Sequence, residues 1–103
     1  MLNYNSVPSF EINDAESVND FLREKRIIVS KIIVDTIERG LNEDLLELPV
    51  MKLCILDMPI TIVTVQRERF AESLQKCLNH FLEAEEYEEC ARVVKLLDDQ
   101  RMK

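Results

Sequence analysis

His80 is the only histidine in the chain, and Cys77 stands one helical turn before it. A thiol and an imidazole at that spacing could act as nucleophile and base if a third group oriented the ring and a cleft held a substrate. The sequence marks no third group. On the apolar stripe Phe70, Leu74, Cys77, Leu78 and Phe81, the thiol faces the core and His80 sits beside that face. The pair therefore reads as a buried thiol and a helix-surface histidine. Cys77, His80 and Cys90 could also offer soft ligands to a metal. Structural zinc takes four ligands, commonly from closely spaced cysteine pairs. No such pair exists, and the remaining cysteine, Cys54, is distant in sequence. No metal is expected, and the cysteines read as small apolar groups. Carboxylates are plentiful, but no two are marked by different surroundings, as acid and base roles require. One glycine, Gly40, cannot make a phosphate-cradling loop. The chain is expected to be no enzyme and to bind no cofactor.

The most unusual cluster is acidic. Glu83, Glu85, Glu86, Glu88 and Glu89 place five carboxylates within seven positions. They surround a predicted helix–helix turn. In one reading they are solvated and suit the N-terminal dipole of the following helix. In the other they form a tip that docks on Lys or Arg of a partner, chiefly tuning association rate and salt sensitivity. The candidate docking set is Glu83, Glu85, Glu86, Tyr87, Glu88, Glu89 and Arg92.

Composition narrows the classes further. The chain has 103 residues, 47% hydrophobic and 32% charged, which suits one ordered domain. Its net charge of −7 opposes nucleic acid, which needs a basic face. Arg23, Lys25, Arg26 and Lys31 on the first helix are the cations such an interface would use, and Arg67 and Arg69 open a later one. No apolar run is long enough to span a membrane, and the residues from Met1 to Asn13, with no basic region before an apolar stretch, lead us to expect no secretory signal. With three cysteines, an odd number, the expected setting is a reducing cytoplasm.

These groups must be positioned by elements. Residues 1–13 read as an irregular arm with a short extended piece at Val7–Ile12. Asn13 reads as an N-cap with Glu16 three residues on, opening a helix from Asp14 to Arg39. Gly40 is placed to stop it as a left-handed C-terminal residue. Asn42 is expected to cap a second, short helix through Leu46, and Pro49 to disturb it. Val50–Leu56 fits either a buried strand or a helical turn. Ile60–Val65 has the strongest strand propensity, with the arm around Phe10 as its expected partner. From Gln66 onward the stripes Phe70, Leu74, Cys77, Leu78, Phe81 and Tyr87, Cys90, Ala91, Val94, Leu97 predict an antiparallel helical hairpin that turns near Glu85. The expected fold is mainly α with a minor β part. It has a long N-terminal helix, a short middle segment with a small strand pair, and the hairpin over 66–103. The expected core is Phe21, Ile28, Ile32, Ile62, Phe70, Leu74, Leu78, Phe81, Tyr87, Val94 and Leu97.

Leu78–Asp99 resembles the UVR motif, a helical hairpin of bacterial excision-repair nuclease subunits and of some activators of the Clp protease system. Tyr87, Glu88 or Glu89, Cys90 and Ala91 match the aromatic, acidic and small positions of its centre. Val94, Leu97, Asp98 and Asp99 match its closing helix. Cys90 stands where that family more often has alanine. The match spans about a quarter of the chain. The resemblance implies a protein-docking hairpin that supplies contacts and no chemistry. The expected function is a small acidic adaptor or inhibitor of a larger machine, phage or bacterial, whose partner carries a basic patch. The alternatives are a homo-oligomer assembling through the apolar Ile27–Val34 stretch and a nucleic-acid accessory factor.

Overall fold

A computed structural model describes residues 7–12, 18–41, 43, 46–55 and 58–101. In chain order the elements are β1 (Ser9–Ile12), α1 (Val18–Glu24), α2 (Arg26–Leu41), β2 (Glu47–Ile55), β3 (Thr61–Gln66), a 3-10 turn (Arg67–Arg69), α3 (Phe70–Glu83) and α4 (Tyr87–Arg101). The fold is α+β, which corrects the mainly-α expectation. The apolar run after Leu46 is the reason. It forms β2, the centre of a three-stranded mixed sheet of order β1-β2-β3. A continuous apolar run suits a strand that has neighbours on both sides.

β1 runs parallel to β2, with Phe10 beside Leu53. β3 runs antiparallel to β2, with Leu48 beside Val65 and Lys52 beside Ile62. The expected pairing of β3 with the arm is therefore replaced, since β2 lies between them. Of the short helix expected before Pro49, the described residues Glu43 and Leu46 sit in bends and Glu47 opens the strand. The proposed cap at Asn42 lies outside the described residues. Pro49 is accommodated in this central strand by a bulge between Pro49 and Met51. Leu46, two pairs before Leu48, accepts from the Arg67 amide at 2.8 Å. Alternation then turns the Pro49 nitrogen away from β3, towards a flank that β1 does not reach, because β1 starts beside Lys52. No ladder bond is lost there.

The long first helix is also corrected: α1 and α2 meet at a kink at Lys25. Helical bonds continue through it, from the Lys25 amide to Phe21 at 2.9 Å and from the Val29 amide to Lys25 at 2.8 Å. The kink leaves Phe21 against Phe10 of β1, with ring centroids 5.2 Å apart. The proposed start at Asn13–Asp14 falls outside the described residues. Gly40 does not stop the helix in a left-handed state. It lies inside α2, without positive φ, and is buried. A β-carbon there would sit 2.0 Å from Cδ1 of Leu48 and 3.4 Å from Phe70. Its role is close approach of helix to strand.

The helices cover one face of the sheet, where Leu48, Met51, Leu53, Val65 and Ile12 are buried. The other face carries Ser9, Glu11, Lys52, Cys54, Ile62 and Thr64, none of them buried. The hairpin forms as expected from α3 and α4. Among predicted core residues, Phe70, Leu74, Phe81 and Leu97 are buried and Phe21, Ile32 and Leu78 are half-buried. Ile28, Ile62, Tyr87 and Val94 are exposed, a correction in each case. On α4 the buried face holds Cys90, Val93, Leu96 and Leu97, a stripe rotated from the expected one. Rotation by one position keeps the helical spacing but exchanges Val94 for Val93.

Candidate docking site at the hairpin tip

The tip is built by how α3 ends. The Glu86 amide donates to the Phe81 carbonyl at 2.9 Å and the Glu85 amide to Leu82 at 3.2 Å. These two bonds form a Schellman motif, which requires a left-handed residue between helix and turn. That residue is Glu85, with φ of 58°. Glycine would suit the position better, so a carboxylate is held there against backbone preference. α4 then starts at Tyr87, with Glu88 and Glu89 in its first turn, where the helix dipole favours acids.

The structure divides the seven candidate residues. Glu83, Glu85, Tyr87 and Glu88 are exposed at the tip, and Glu86 is half-buried. Glu83 lies 3.6 Å from Arg26, an exposed pair that constrains it weakly. Tyr87 is 64% exposed, and Leu82 in the last turn of α3 is 50% exposed. Leu82 was missed by the sequence reading. Its signal is a leucine off the stripe Phe70, Leu74, Cys77, Leu78, Phe81. Glu89 and Arg92 belong elsewhere. Arg92 reaches Asp35 at 2.7 Å and Glu38 at 3.2 Å on α2, with Glu89 at 3.6 Å on its own helix. The hydrogen bond to Glu38, with Asp35 behind it, holds the guanidinium protonated more firmly than usual, against a counteracting push from burial. Oε2 of Glu89 is shielded from solvent and takes no hydrogen bond. Arg92 ties α4 to α2, and Glu89 backs it from its own helix.

The thiol and the imidazole lie elsewhere, at the α2–α3 contact. Nδ1 of His80 is 3.0 Å from the hydroxyl of buried Ser30. Burial, then the Arg26 charge, lowers the His80 pKa, and Glu83 partly offsets this. Burial raises the Cys77 pKa, and a hydrogen bond with Ser30 works against the rise. A thiol held protonated is a poor nucleophile. Beside them a groove of about 360 Å³ is lined by Leu22, Arg26, Val29, Ile33, Lys76 and Cys77, among others. Among the described residues no three His, Cys, Asp or Glu side chains gather as a metal site would need. No described helix is long and apolar enough to cross a membrane. Of the first-helix cations, Arg23 pairs with Asp20 and Arg26 with Glu83. No family model, curated protein or solved structure matches the chain.

Proposed function

We propose that this chain is a non-enzymatic protein-binding factor that docks through the tip of its α3–α4 hairpin. The observation carrying this reading is the exposure of Leu82 and Tyr87 at a turn edged by Glu83, Glu85 and Glu88. An aromatic ring with a polar handle is a common interface anchor. The surrounding carboxylates select a partner with a basic patch around an apolar recess and speed its approach. The resemblance to the UVR hairpin supports the same reading, and such a factor would serve as adaptor or inhibitor of a larger assembly. Assembly through Ile27–Val34 has less support, because Val29 and Val34 are buried and Ile28 is the only exposed apolar side chain there. A nucleic-acid role has less support still, since Arg23 and Arg26 each stand beside an acid.

A photo-crosslinking side chain at position 84, exposed in the same turn, in the full chain expressed in its native host tests this. A single crosslinked protein is expected, and Glu83→Lys with Glu85→Lys and Glu88→Lys should abolish the product. Retention of the same product by that folded triple variant, checked by circular dichroism, would sink the acidic-tip mechanism. Tyr87→Ala is expected to weaken capture at least tenfold, the loss of an anchor worth roughly 2 kcal/mol.

A further inference from the structure

The groove beside His80 is built by matching helical faces. α2 contributes Arg26, Val29, Ser30 and Ile33, a set spaced i, i+3, i+4, i+7, which puts all four on one side of the helix. α3 contributes Ser73, Lys76, Cys77 and His80 at the same spacing. Ser30, Ser73 and Cys77 are small side chains at a helix–helix contact, and they leave open the space of about 360 Å³ between the two faces. α1 adds Leu22 and Arg23 as a third wall. Inside, the surface is apolar: Val29 and Cys77 are buried, and Leu22 and Ile33 are half-buried. The Ser30 hydroxyl, the deepest polar group, is already engaged by His80 and Cys77.

Charge distinguishes the mouth. The chain has 20 Asp and Glu against 13 Lys and Arg, yet the lining of this groove includes Arg23, Arg26 and Lys76 and no carboxylate. All three cations are exposed, and Arg26 and Lys76 stand on facing helices. Each is paired with one acid outside the lining: Arg23 with Asp20, Arg26 with Glu83 and Lys76 with Glu72. Exposed pairs of this kind hold weakly. A guanidinium carries five N–H donors and an ammonium three, more than one carboxylate uses. A headgroup in the mouth can therefore be bound without breaking the pairs. Because the three acids already offset much of the positive charge, the site suits a single negative charge rather than a dianion. An apolar interior rejects small hydrated ions, and a cationic mouth rejects ammonium headgroups. We infer that the α2–α3 groove binds a small amphipathic carboxylate, its tail against Leu22, Val29 and Ile33 and its headgroup held by Arg26 and Lys76. The groove's volume falls at the lower end of small-molecule sites, which run from roughly 300 Å³ upwards. The exposed pair Leu82 and Tyr87 does not line it, so this site stands apart from the docking tip.

Titration of the full chain with octanoate, followed by heteronuclear NMR, provides the test, with octylammonium, octanol and acetate as controls. Octanoate should give saturable shifts at the amides of Val29, Ile33, Ser73 and Cys77, and each control should bind about tenfold more weakly or not at all. The only histidine is a built-in reporter. His80 shares the lining with Arg26, so a bound carboxylate should raise its pKa, whereas octanol should leave it unchanged. Arg26→Gln with Lys76→Gln changes two exposed side chains and should weaken octanoate binding by about tenfold. Ser73→Phe fills the groove from its rim and should abolish the shifts, with folding of both variants checked by circular dichroism. Absence of a saturable octanoate shift in the parent chain overturns the proposal. So does octylammonium or octanol binding as tightly as octanoate, a set of shifts that maps outside the groove, or an unchanged affinity in the folded double variant.

Discussion

At Gly40 a single hydrogen atom sets the distance between helix and strand. A β-carbon there would collide with the Leu48 side chain, which is itself packed in the core. Gly40→Ala gains up to about 1 kcal/mol of helix propensity, less near a helix end. The collision forces Leu48 out of place at a typical cost of about 1–3 kcal/mol. A net loss is expected by chemical denaturation. Leu48→Val in the same chain should recover part of it, giving a non-additive pair. The sequence shows a lone glycine near a helix end, which reads as a stop signal. Only the approach of β2 reveals the other use. His80 makes a second residue-scale prediction. Its native pKa is below its ordinary value of 6.5, so between the two values the unfolded chain holds more proton than the native one. Stability contributed by the neutral ring is present above pH 6.5 and is lost as pH falls through the native value. His80→Gln should flatten the denaturation midpoint over that interval, compared with the parent chain. An unchanged slope would refute the assignment.

Among the elements, α4 is held to α2 by one residue reaching across. Arg92 contacts Asp35 and Glu38 on α2 as well as Glu89. Its removal leaves those three carboxylates facing one another, one with an oxygen already shielded from solvent. Arg92→Ala is expected to cost about 1–2 kcal/mol, more than an isolated surface pair. Arg92→Lys should recover less than half, since an ammonium cannot reproduce the fork that reaches two acids. Urea denaturation at low salt measures both. At the C-terminus of the same helix, the Arg67 guanidinium donates to the Gly40 carbonyl at 2.8 Å and to that of Glu43, and it lies 5.5 Å from the Phe70 ring centroid. The α3–α4 hairpin was legible because its apolar residues recur at one period over two long segments. β2 was not. Pro49 within an apolar run signals a break, and nothing local shows that a bulge and a short neighbour will excuse its missing N–H. The pairing of Arg92 with α2 was hidden for a related reason: Asp35 and Glu38 lie on a helix more than fifty residues away in sequence, beyond any local pattern.

Over the whole molecule, the sheet separates a covered face from an open one, and the three cysteines report that division. Cys77 and Cys90 are buried on the inner faces of α3 and α4, whereas Cys54 is partly exposed on the open face of the sheet. Native protein treated with iodoacetamide should be modified at Cys54 first. Cys77 and Cys90 should react at the rate of unfolding, with burial of the Cys77 thiol slowing it further. Peptide mapping by mass spectrometry reads all three. Equal labelling of the three would refute the layered arrangement. Sequence alone put Cys77 and Cys90 on apolar helix stripes but could not place Cys54, because its exposure depends on which face of β2 it takes. The parallel contact of β1 with β2 has a consequence in time. Phe10 is joined to Leu53 across the whole of α1 and α2. Synthesis runs from the N-terminus, so β1 leaves the ribosome with no strand to meet, and both helices emerge before its neighbour exists. The earliest part of the sheet to be made is thus among the last to be seated, and its placement waits on the arrival of β2.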